Sequence, residues 1–183
     1  MKKLIIILSI LISFSNYVFC QNMNIEWQNC FGGSKDDHAV DIIKLEDGFL
    51  IAGSTNSNDG NISSNHGGMD IWLIYTDTLG VFLWEKSYGG SMGDGCHRIF
   101  QADNNSYYII GGATSSDGDI SNDPYPGNND YWILKIDSAG NILWEKILGG
   151  NWHDQPWTGT TTNDGGILAF GWTGSEDGDI SVY

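Results

Sequence analysis

Four oxygen-bearing side chains at alternate positions, Asp117, Asp119, Ser121 and Asp123, carry the plainest chemical signal in this sequence. Oxygen ligands two residues apart are how a short loop wraps a hard cation, so calcium is the ion this loop would take. The rest of a calcium loop is missing, because Gly118 stands second rather than sixth and Asn128 replaces the bidentate Glu at the twelfth position. A tight turn at Asp117-Gly118 is the competing reading, since Gly adopts the left-handed backbone that such turns need.

Other constellations are weaker. Asp37, Asp94 and Asp154 recur at matched places, and carboxylates facing each other across a cleft could act on a glycosidic bond. Residues present in every copy of a repeat usually serve the scaffold, however, and a unique site should break the repeat. His38, His97 and His153 sit at unequal offsets, which argues against convergence on a metal ion. No Gly-x-Ser-x-Gly elbow presents a nucleophile. Trp152, Trp157 and Trp172 lack a tryptophan counterpart in the other copies, and their indoles are candidates for stacking on a ligand.

The elements that must position these groups form a repeat. Trp27, Trp84 and Trp144 each precede a Gly-Gly pair (Gly32-Gly33, Gly89-Gly90 and Gly149-Gly150), stepping by 57 and then 60 residues. Asp59-Gly60, Asp117-Gly118 and Asp177-Gly178 keep step, as do Thr55, Thr114 and Thr173. In the middle copy, the run from Tyr107 to Ile110 into Gly111-Gly112 predicts a buried strand, and Tyr131 to Ile136 a second. The turn Asp137 to Asn141 then leads into a third strand, Ile142 to Ile147. A fourth comes from Ala39 to Leu45, Cys96 to Ala102 and Trp157 to Thr162. Apolar side chains on both faces, as in Ile71 to Ile74, suit a sheet packed between two others. Trp72, Trp84, Trp132 and Trp144 are accordingly expected in the core.

About four strands per period of about 60 residues predict an all-β protein, a partial β-propeller of about two and a half four-stranded blades with antiparallel sheets. The units run over 32–88, 89–148 and an incomplete 149–183, within a repeat domain over 21–183. Ile25 to Phe31 matches the last strand of a further unit. Closing a ring takes at least about four blades, so the sequence is expected to be a fragment, completed by the remaining blades of a longer chain or by another copy.

Met1 to Cys20 reads as a secretory signal peptide, with Lys2 and Lys3 ahead of an apolar core from Leu4 to Ile12 that is too short to span a bilayer. Lipidation of Cys20 is the alternative, though the bulky Phe19 precedes it. Removing that leader leaves six basic residues against 23 acidic ones, a formal charge of −17. Such a surface repels nucleic-acid phosphates and anionic headgroups, so neither nucleic acid nor a membrane surface is an expected partner. Cys30 and Cys96 could pair in an oxidising compartment, but nothing in their spacing brings them together, and two buried thiols are the preferred expectation.

The order of apolar strand, Gly111-Gly112, Tyr131-Trp132 strand, turn and Trp144 strand resembles a kelch-type propeller blade. Nearly everything after Gln21 is similar to secreted bacterial proteins built of tandem units reading GGS, DGGFIIAGST, DGDIS, DxWLIKID and GNILWEK. That resemblance implies an extracellular or surface β-propeller and no defined activity. The function expected is a non-catalytic secreted or cell-surface module that binds an extracellular protein or glycan through its loops. No cofactor is expected apart from calcium. The alternative is a glycan-active hydrolase or lyase using blade-end carboxylates.

Overall fold

The computed structural model describes residues 24–179. The signal-peptide reading of residues 1–20, and with it Cys20, lies outside them. The described residues contain ten strands and no helix. The first sheet contains β1 (Asp37–Lys44), β2 (Gly48–Thr55), β3 (Asp70–Asp77) and β4 (Phe82–Tyr88), paired antiparallel in chain order. The second repeats it with β5 (Asp94–Asp103), β6 (Ser106–Ala113), β7 (Asp130–Asp137) and β8 (Ile142–Leu148). A third, two-stranded sheet pairs β9 (Asp154–Thr161) with β10 (Ile167–Thr173). The sheets are not closed into a ring, and the architecture is the partial, propeller-like all-β fold that the repeat predicts.

Local chemistry explains the hairpins. The Asp77 carboxylate accepts the backbone N–H groups of Leu79 and Val81, both at 2.8 Å, and Gly80 turns the chain at φ +74°. Asp137 does the same for Ala139 and Asn141, with Gly140 at φ +74°. An Asp that satisfies its own turn and a Gly in the left-handed region fix the register of β3–β4 and β7–β8.

One apolar cluster spans both four-stranded sheets, with Leu50, Ala52, Ile71 and Leu73 from the first and Cys96, Ile109, Trp132 and Leu134 from the second. Each fully buried Leu or Ile here is worth about 1.5–3 kcal/mol relative to exposure. Close approach depends on Gly111, where a Cβ would come within 2.7 Å of Ile71 Cδ1.

Two expectations need correction. Ile25 to Phe31 forms no strand, because no neighbouring strand among the described residues offers it a ladder. It packs instead: the Trp27 ring lies against Gly80 and 5.7 Å from Phe49, and Asn29 Nδ2 donates to Gly80 O at 2.6 Å. Trp84 lies in the same way against Gly140 of the next sheet. The expected core tryptophans also divide, with Trp72 and Trp132 buried, Trp84 half-buried and Trp144 39% exposed. Trp144 stands at the position from which Trp84 reaches the following turn, and no corresponding turn follows it among the described residues.

Candidate functional site

The repeated polar residues build a framework at one end of each sheet. Asp37, at the start of β1, accepts Gly33 N–H at 2.7 Å, Thr55 Oγ1 at 2.5 Å and Ser57 Oγ at 2.9 Å. Burial works against its ionised form, but these donors outweigh it and hold the carboxyl below its ordinary range. Asp94 accepts Gly90 N–H at 2.8 Å and the backbone N–H groups of Thr114 and Ser115. Asp154 accepts Thr173 Oγ1, and Ser175 Oγ at 2.8 Å.

Asp94 lacks the threonine hydroxyl that Asp37 and Asp154 accept, for a reason of register. Asp37 lies opposite Thr55 and Asp154 opposite Thr173, but Asp94 lies opposite Ala113. Thr114 is therefore the counterpart of Asn56, one place beyond the position that sequence matching gives it.

The Asp-Gly segments dock on the Gly-Gly loops. Ser34, Ser91 and Asn151 donate backbone N–H groups to Asp59, Asp117 and Asp177 at 2.7, 2.7 and 2.9 Å. Gly60, Gly118 and Gly178 sit at φ +67°, +68° and +74°, and a Cβ on any of them would run into the carbonyl of Gly32, Gly89 or Gly149. Ile62 and Ile120 then plunge into the interior. Next in line, Ser63 and Ser121 each donate through the hydroxyl to Glu85 and Glu145 at 2.5 Å.

This docking accounts for the four residues of the candidate calcium loop. Asp117 accepts Ser91 N–H, Asp119 accepts Gly89 N–H at 3.1 Å, Ser121 donates to Glu145, and Asp123 accepts Tyr125 N–H at 2.8 Å. Each oxygen serves a different partner. No group of three or more His, Cys, Asp or Glu able to hold a metal ion occurs among the described residues.

The three candidate tryptophans occupy three distinct positions of the repeat. Trp152 is at the tip of the Gly-Gly loop, where Lys35 and Met92 stand in the other copies; its backbone N–H donates to Ser175 Oγ at 3.0 Å and the residue is 66% exposed. Trp157 is the bulged residue of β9, the counterpart of Val40 in β1 and His97 in β5, and is 63% exposed. Trp172 on β10 replaces Ser54 and Gly112, and is 49% exposed. The Trp172 ring lies against Gly174, and Trp152 lines a cleft with Gly174, Asn151, Glu176 and Asp177. The sequence singled out these indoles but not the repeat slots that hold them.

The histidines occupy three different slots: His38 the second residue of β1, His97 a bulge, and His153 the loop before β9, where its Nδ1 accepts Asn129 N–H at 3.0 Å. Arg98 is spent on Asp41 at 3.3 Å. Cys96 is buried, which pushes its thiol up to about 12, whereas Cys30 is exposed, so only one of the two expected buried thiols is buried.

Sequence reading missed the carboxyl groups at the junctions between sheets. Asp70 and Asp130, first residues of β3 and β7, are buried, and Asp70 Oδ1 and both oxygens of Asp130 make no well-formed hydrogen bond. Their neighbours are Asp94 and Asp154 of the following sheet. Spacing gave no hint, because the two members of each pair lie 24 residues apart on different sheets.

No protein-family model matches this chain, and no curated protein matches it.

Proposed function

We propose that this chain is a non-catalytic, exported binding module of kelch-like blades, which captures an extracellular glycan through its blade-end loops. The observation that carries this reading is Trp152. Its loop is held by the same bonds to Ser175 and Asp177 that Ser115 and Asp117 supply in the preceding unit, while the residue at the tip changes from Lys35 to Met92 to Trp152. A fixed frame with variable exposed tips is how a scaffold carries binding. A flat indole beside Asn151, Glu176 and Asp177 offers a sugar a stacking face with hydrogen-bonding groups at its rim. Export rests on the leader-like Met1 to Cys20.

The repeated aspartates favour binding over glycoside hydrolysis, since Asp37, Asp94 and Asp154 are each committed to donors of their own unit. A protein partner is the second reading, favoured by Leu168, Phe170 and Trp172, which leave β10 with an exposed apolar surface. That surface suits further blades of a longer chain or of another copy.

The test is sedimentation of the chain with insoluble cellulose, chitin and xylan, alongside titration of tryptophan fluorescence with their soluble oligosaccharides. Binding by the wild type, lost at least tenfold in W152A at unchanged melting temperature, supports the reading. Equal retention of both proteins on every polysaccharide, or of neither, sinks it.

A further inference from the structure

At the junction between the first and second sheets, one oxygen of Asp70 is provided for. His66 donates its backbone N–H to Asp70 Oδ2 at 2.6 Å, and the His66 ring nitrogen Nδ1 lies 3.0 Å from the same oxygen. Beneath Gly89, where a side chain would collide with both, Asp70 Oδ1 and Asp94 Oδ2 converge. Burial raises the Asp70 pKa, and the His66 donors oppose that rise.

The next junction repeats the aspartates without the histidine. Four residues before Asp130, where His66 stands relative to Asp70, the chain has Pro126, which carries neither a backbone N–H nor a ring nitrogen to donate. Asp130 is 1% exposed and sits under Gly149, and neither oxygen makes a well-formed hydrogen bond, although the Gly150 backbone N–H lies near and favours the ionised form. The start of β9 is tied to the residue before Asp130, Asp154 N–H donating to Asn129 O at 2.6 Å, and the Asp154 carboxyl is the foremost charge acting on Asp130. Asp123, on the loop between β6 and β7, adds a further negative charge.

Two other titratable groups border this junction, and of these the Tyr131 hydroxyl lies near Asp154, with burial and then the Asp154 charge raising its pKa. The His153 ring accepts Asn129 N–H through Nδ1, which leaves that nitrogen without a proton to give. Two carboxylates cannot rest against each other in a buried site while both are ionised.

We infer that the junction between the second and third sheets is closed by a single proton shared between Asp130 and Asp154, so that alkaline medium weakens it. A proton meets the need with the groups present, whereas a calcium ion would require six or more oxygens. Burial first, then Asp154 and Asp123, raise the Asp130 pKa to about 7. Because that folded value lies above the unfolded one, about 3.9, the stabilisation is complete in acid and is lost as pH rises through the folded value. At the first junction the same direction holds for Asp70, but the His66 donors oppose it.

The experiment is thermal unfolding of the chain and of Asp130→Asn between about pH 5 and about pH 9, in EGTA and again in millimolar calcium chloride. The wild-type midpoint is expected to fall by roughly 5–10 °C across that range, unaffected by calcium. Asp130→Asn is expected to fall less steeply, because its amide supplies a permanent hydrogen to Asp154. A wild-type profile no steeper than that of the variant overturns the inference. So does recovery of the alkaline midpoint on adding calcium, which would assign the missing charge to a metal ion. Should the variant not fold, carboxyl-carbon NMR of the wild type decides: one aspartate titrating near about 7 supports the shared proton, and all aspartates in their ordinary range refute it.

Discussion

Glu85 accepts the indole N–H of Trp72 at 2.9 Å, and Glu145 accepts that of Trp132 at 3.1 Å. The second oxygen of each carboxylate takes the hydroxyl of Ser63 or Ser121. One Glu on the fourth strand thus ties the third strand to the end of the Asp-Gly segment, which is why the Trp-Glu-Lys motif recurs with the rest of the unit.

Replacing Glu145 with Ala leaves the indole N–H of the fully buried Trp132 without an acceptor and releases Ser121. A loss of about 1–3 kcal/mol is expected, with Glu145→Gln falling between wild type and Ala because it keeps one acceptor oxygen. Denaturant unfolding followed by tryptophan emission measures it, and equal stability of all three proteins would remove the tie from the fold.

Gly118 and Gly127 both hold positive φ, at +68° and +99°, but only Gly118 presses on a neighbouring backbone. Gly118→Ala should therefore cost more than the roughly 1–2 kcal/mol of left-handed strain alone, and Gly127→Ala no more than that. Melting temperatures of the two variants give the comparison.

Cys30 is exposed, and Cys96 is buried with its thiol pushed up to about 12. Alkylation of the folded chain at neutral pH should modify Cys30 and spare Cys96 until denaturant is added, since the thiolate is the reactive form. Peptide mass mapping reads both sites, and modification of Cys96 at the rate of Cys30 would contradict its burial.

Asp117 and Asp177 are held below the ordinary aspartate range chiefly by the Ser91 and Asn151 backbone N–H groups, and Asp137 by that of Asn141. Their folded values lie below the unfolded ones, so the stability they supply is present above about pH 4 and is lost as pH falls through the folded values. Melting temperature should decline below about pH 4, and less steeply in Asp117→Asn, whose side chain still accepts the Ser91 N–H without titrating. An acid limb identical in the variant would take Asp117 out of the linkage.

Strand positions were legible because β-branched and aromatic runs end at Asp-Gly and Gly-Gly signals: Tyr131 to Ile136 and Ile142 to Ile147 lie inside β7 and β8. The failures share a cause. Ile25 to Phe31 has the composition of a strand but no neighbouring strand, and Thr114 looks like Thr55 but faces a different slot because β6 meets Asp94 through Ala113. Pairing is decided between segments, and a residue's type does not record which segment it will meet.

The sequence alone settled the repeat, the antiparallel blades and the acidic surface, since period, turn residues and charge are properties of the chain as written. Only tertiary structure assigned the recurrent aspartates to holding loops, set Trp152 on a frame shared with Lys35 and Met92, and brought Asp130 to Asp154. The physical reason is that a carboxylate's role depends on the donors around it. Those donors arrive from strands and loops many residues away, once the sheets have packed.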